Sequence, residues 1–225
     1  MVRGIAALSG ALTLTILIAA CGGSGSNESK GLPSGVSTLA AEETTTAPGG
    51  GDAWKRYEGK NFTVEIPESW TAVGFDEDAL AGEVLDGMPA EAREALQGGD
   101  FFYALDGSEE ARKQVAEGEL AGSFSIAQVT QPAVSWESFV EVNSTPPDGA
   151  ENYQVSVVTL PAGQALLRTY NRTGAPLNQP ASTIQYAVLP EPELAIVLTM
   201  ETAPNRFGQE RNVFEEMAQR FRYTP

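Results

Sequence analysis

Tyr57-Glu58-Gly59-Lys60-Asn61-Phe62-Thr63-Val64-Glu65-Ile66-Pro67-Glu68-Ser69-Trp70 is the stretch on which the fold turns. Phe62, Val64 and Ile66 alternate with Asn61, Thr63 and Glu65, the period of a strand with one buried face. Pro67 ends the run because it brings no N–H to a ladder, and Trp70 follows as a large apolar side chain that needs cover. Further strand-like runs cover Asp100 to Leu105, Ser123 to Thr130, Tyr153 to Leu160, Gln164 to Arg172, Thr183 to Leu189 and Leu194 to Glu201. Their connections, such as Leu160-Pro161-Ala162-Gly163 and Pro190-Glu191-Pro192, are rich in turn formers, so the later strands are expected to be antiparallel neighbours.

Helical spacing stands out in three places. Phe207, Phe214, Met217 and Phe221 recur at intervals of seven, three and four, with Pro204 placed to open the helix. Ser135 suits an N-cap for a short helix carrying Trp136, Phe139 and Val140 at i, i+3 and i+4, and Pro89 is placed to open a helix over Ala90 to Gln97. Residues 54–225 are about 170 in number, enough for one domain that buries about 70% of its unfolded surface. The expected class is α+β, with Trp136 and the three C-terminal phenylalanines buried between layers.

The N-terminal 53 residues read differently. Arg3 precedes an apolar run that ends in Ile18-Ala19-Ala20-Cys21, followed by Gly22-Gly23-Ser24-Gly25-Ser26. This resembles the lipobox of bacterial lipoproteins, in which residues 1–20 are a signal peptide and the Cys21 thiol receives acyl chains. A membrane span is the alternative. Leu8 to Ala20 is about 13 residues broken by Ser9, Gly10, Thr13 and Thr15, where a span needs roughly 20. Residues 21–53 are Gly, Ser, Thr, Pro and acid, too poor in apolar surface to offset ordering entropy. They read as a flexible tether of about 32 residues with a span of roughly 30 Å. The resemblance places the protein on the outer face of the cytoplasmic membrane.

Composition narrows function. The chain has 30 acidic and 14 basic residues and a net charge of −16, and loss of Arg3 with residues 1–20 makes it −17. Nucleic acid needs basic surface and is not an expected partner. There is no histidine, and Cys21 is the single cysteine, so the commonest general base, zinc ligand and thiolate nucleophile are missing from the mature domain. No Gly-x-Ser-x-Gly elbow, Ser-x-x-Lys pair or phosphate-cradling loop occurs. The protein is therefore expected not to be an enzyme and to need no cofactor.

The quoted stretch resembles the strand-Pro-x-x-Trp opening of the PsbP-like fold, also found in a Ran-binding family and in actinobacterial LpqN-type lipoproteins. The resemblance extends to Ser135-Trp136-Glu137-Ser138-Phe139 and to Val213-Phe214-Glu215-Glu216-Met217-Ala218-Gln219-Arg220-Phe221-Arg222. It implies an antiparallel sheet flanked by helices on both faces, an α/β/α sandwich, and accessory, partner-binding roles. Every one of its marks is a packing pattern, so it carries fold further than function.

Two constellations are candidates for binding. Arg168, Tyr170 and Arg172 alternate along one predicted strand and share a face, a stripe suited to an anionic headgroup or a partner's carboxylates. Its ordinary alternative is pairing with acids on neighbouring strands. Residues 76–119 hold thirteen acids against Arg93, Arg112 and Lys113, a net −10. They suit a cationic partner or, at Asp76-Glu77-Asp78, calcium, against the alternative of a solvated acidic face. The leading expectation is a lipid-anchored module that binds an unidentified envelope protein. The alternatives are a lipid or small-ligand carrier with a cavity lined by Phe101, Phe124, Ile126 and Leu198, and an envelope hydrolase.

Overall fold

The structure, a computed structural model, describes residues 37–38, 53–73, 101–174 and 179–225. Cys21, the predicted helix over Ala90 to Gln97 and the Asp76-Glu77-Asp78 candidate lie outside these residues. The strands are β1 (Ser37–Thr38), β2 (Trp54–Gly59), β3 (Phe62–Pro67), β4 (Trp70–Val73), β5 (Phe101–Asp106), β6 (Ser123–Thr130), β7 (Glu151–Leu160), β8 (Gly163–Gly174), β9 (Gln179–Glu191), β10 (Leu194–Thr202) and β11 (Arg222–Tyr223). The helices are α1 (Glu109–Glu117), α2 (Trp136–Asn143) and α3 (Phe207–Gln219). The large sheet runs β1-β7-β8-β9-β10-β6-β5-β4 and a small one runs β11-β3-β2. Every pairing is antiparallel except β1 on β7.

The opening stretch makes the small sheet and its link to the large one. Asn61 holds the turn between β2 and β3 at φ +59°, a left-handed conformation that asparagine tolerates. Gly59 faces the ring of Phe62, and a Cβ there would stand 2.2 Å from its Cζ. Phe62, Val64 and Ile66 have no solvent exposure. Phe62 meets Phe221 at 5.9 Å and Phe102 at 6.5 Å between ring centroids, while Trp70 meets Phe214 edge-on at 6.1 Å. Small sheet, α3 and large sheet thus share one core.

A second buried cluster combines Phe139 and Val140 of α2 with Val129, Val157, Leu166, Ala187 and Ala195. The first cluster takes Ala165, Tyr186, Val188 and Ile196, the residues next to these along β8, β9 and β10. The two clusters thus draw on alternate residues of the same strands.

Sequence and structure part at particular places. Trp136 is only half-buried, stacked on Phe139 at 5.8 Å, and does not fill the interlayer space expected of it. Phe221 lies past the end of α3 and is fully buried there. Pro190 and Glu191 complete β9, and the turn is Pro192-Glu193. The described part of the acidic segment holds β5 and α1, whose N-cap Ser108 accepts from the Ala111 N–H at 3.2 Å. Gly118 ends α1 at φ +84°, and the Glu119 N–H bonds the Gln114 carbonyl at 2.8 Å.

Candidate functional site

A polar hollow of about 520 Å³ opens where the small sheet meets the end of α3, lined by Arg56, Thr63, Glu65, Glu216, Gln219, Arg220 and Arg222. Register puts it there: Arg56 pairs with Glu65 across β2 and β3, and Arg222 with Thr63 across β3 and β11. The inward residues of these strands are committed to the core, so the outward ones make the wall.

Arg220 organises the hollow. Its guanidinium donates to Glu65 Oε2 at 2.6 Å and to Glu216 Oε1 at 2.8 Å, and lies 4.1 Å above the Trp54 ring. Partial desolvation works against its charge, but the hydrogen bonds to Glu216 and Glu65 outweigh this and hold its pKa above the ordinary arginine value. Arg222 turns back to the Gln219 and Phe221 carbonyls at 2.6 and 2.9 Å, where cationic side chains suit a helix C terminus. Arg56 is 59% exposed and 3.4 Å from Glu58, so its guanidinium is open to an incoming group. The arrangement can bind carboxylates and guanidinium groups by exchange of partners. It sets no nucleophile beside a base.

The predicted stripe does form on one face of β8, but its members differ in surroundings. Arg168 Nη1 donates to the Asn143 carbonyl at the end of α2 at 3.2 Å, while its Nε is buried without a hydrogen bond. Burial lowers its pKa. Tyr170 is buried, its ring 6.4 Å from that of Tyr153, and burial raises its pKa. Arg172 pairs with Glu201 at 2.6 Å and its side chain is 31% exposed. Glu201 also accepts from the buried Thr183 hydroxyl at 3.2 Å.

Phe101, Phe124, Ile126 and Leu198, the residues named for a carrier cavity, are packed core, each 2% exposed or less, with the Phe124 ring 5.9 Å from Phe102. Among the described residues no group of three or more aspartate, glutamate, histidine or cysteine side chains could hold a metal ion. No helix among them is long and apolar enough to cross a membrane.

The hollow was not found by sequence reasoning. Its signal was present in Trp54-Lys55-Arg56 and in Arg220-Phe221-Arg222, which bracket the domain and read as separate packing marks until folding joins them.

No known family profile matches the chain, and no curated protein does. Solved structures do. A crystal structure of LpqN, involved in cell envelope biogenesis of Mycobacterium tuberculosis, is 7% identical, with 77% of this chain and 91% of that one covered at a TM-score of 0.46. The solution structure of PsbP from Synechocystis is 13% identical, with coverage of 80% and 98% and a TM-score of 0.39. A crystal structure from Bacteroides thetaiotaomicron is 10% identical at a TM-score of 0.42, and 73% of this chain covers only 46% of that longer one. The chain is thus similar to structures of the PsbP and LpqN kinds whose fold its opening stretch resembles.

Proposed function

We propose that this protein is a lipid-anchored, non-catalytic module of the cell envelope that binds another protein through the hollow around Arg220. In this reading residues 1–20 are a signal peptide, Cys21 carries acyl chains, residues 21–53 are a tether, and residues 54–225 are the domain. One observation carries the binding surface: three arginines and two carboxylates converge on an open concavity, with a half-buried tryptophan behind Arg220. Tryptophan and arginine dominate the residues that carry protein–protein affinity, and mixed charge favours a partner that is itself charged and polar.

The α/β/α sandwich is part of the same proposal. It is supported by the membership of α2 and α3 in different core clusters, built on alternate residues of shared strands. The β8 stripe is the less favoured surface, since a partner there would have to displace the Arg172–Glu201 pair.

Cross-linking in intact cells tests the assignment. The natural chain is expected to give a specific adduct that an Arg56→Glu/Arg222→Glu variant loses by at least tenfold. An undiminished adduct overturns the hollow as the binding surface, and loss in Arg172→Glu instead moves it to β8. Cys21→Ala is expected to shift the protein from the membrane to the soluble fraction, and retention on membranes overturns the anchor.

A further inference from the structure

The large sheet has two outer edges of unequal exposure to pairing. One is β4, four residues long. At the other end β7, ten residues long and paired with β8 in unbroken register from Gln154 to Leu160, carries only the two-residue β1 on its outer side. An open edge presents a row of unpaired N–H and C=O groups, and folded proteins normally blunt it with charge, proline, a bulge or brevity. The start of β7 has such a device. Its register slips between Glu151 and Gln154, where Asn152 sits at φ +54°. Gln154-Val155-Ser156-Val157-Val158-Thr159 has none: six residues with no charge and no proline, three of them valine.

The centre of that undefended stretch is where β1 is found, with Ser37 opposite Ser156 and Thr38 opposite Val157 in parallel register. This parallel pairing is made across about 120 residues of chain, a wider separation than any other pairing in the sheet. We infer that the outer edge of β7 is a strand-acceptor site whose resident occupant is this chain's own Ser37–Thr38 segment. A two-residue strand contributes few ladder hydrogen bonds, so it opens at low free energy compared with the interior strands. The same six-residue edge would accept a longer extended peptide with uncharged, β-branched residues by main-chain pairing. The pairing is independent of lipidation. Its consequence for reach rests on the tether proposed above: attachment at Ser37 leaves about 16 residues after Cys21, a span of roughly 22 Å in place of roughly 30 Å.

Residue-resolved amide exchange on the detergent-solubilised full-length protein tests this, because alternate β7 amides point away from β8 toward the edge. In a Ser37→Pro/Thr38→Pro variant the edge-facing amides among residues 155–158 are expected to exchange at least tenfold faster, with β9 amides unchanged as the control for folding. Ser37→Ala/Thr38→Val keeps both N–H groups and is expected to retain protection. Equal rates in the natural chain and the proline variant overturn the inference. Edge protection that rises with protein concentration also overturns it, by assigning the edge to a second copy. Failure of either kind leaves the cross-linking result at Arg56 and Arg222 untouched.

Discussion

Arg220 is the residue whose role is most completely set by its neighbours. Two carboxylates and the Trp54 face hold its guanidinium at one position, at the seam of strand and helix. Partly exposed ion pairs contribute about 0.2–1 kcal/mol each and a cation over an aromatic face about 0.5–1 kcal/mol. Arg220→Ala is therefore expected to lower stability by about 1–2 kcal/mol in urea unfolding, and Arg220→Lys to recover only part, since ammonium cannot reproduce the planar fork. A cost near zero would show that the contacts are solvated out. Gly59 illustrates a second constraint. Its missing Cβ is space occupied by the Phe62 ring, so Gly59→Ala is expected to cost about 1–3 kcal/mol as a shifted denaturation midpoint. Neither constraint was legible in the sequence: the Trp54 ring meets Arg220 from the other end of the domain, and the Phe62 ring covers Gly59 only once the β2–β3 hairpin has closed.

Elements were far more legible than sites. The alternation of Phe62, Val64 and Ile66 and the helical spacing of Phe214 and Met217 both mark residues that have no solvent exposure. Ser135 caps α2 as expected, accepting from the Ser138 N–H at 3.3 Å. Its replacement by alanine should cost about 1 kcal/mol by urea unfolding, with the loss appearing as faster amide exchange in 136–140. α1 was missed, although Ser108, the acidic first turn Glu109-Glu110 and Gly118 are the ordinary signals of a helix start and stop. Its apolar face is small, with Ala111 and Gln114 as the buried residues, so hydrophobic spacing did not mark it. Gly118→Ala, which forces a Cβ into the left-handed region, is expected to destabilise the protein by about 1 kcal/mol. β4 and β11 went unread for a similar reason, since strands of four and two residues show no period.

At the scale of the whole molecule, alkaline titration should expose the packing of the tyrosines. Burial raises the pKa of Tyr103, Tyr153, Tyr170 and Tyr186 above the ordinary value of 10.0. Tyr223, whose hydroxyl donates to Glu191, is pushed up to about 12 by that hydrogen bond. The folded form therefore holds these protons where the unfolded chain releases them. Their stabilising contribution is complete below pH 10 and falls as pH rises through the folded values. Melting temperature should decline steeply between pH 10 and pH 12, and a Tyr223→Phe variant should decline less over the same interval. A flat profile would contradict the protonated, packed state of these side chains. By itself, the order of residues determined seven of the strands, β3 and β5 to β10, two of the helices and the antiparallel class, because those follow from local period and turn chemistry. The hollow around Arg220, the internal commitments of the β8 stripe and the occupant of the β7 edge were decided only by the tertiary structure. Each joins residues far apart in the chain, and no local spacing records which of them folding will bring together.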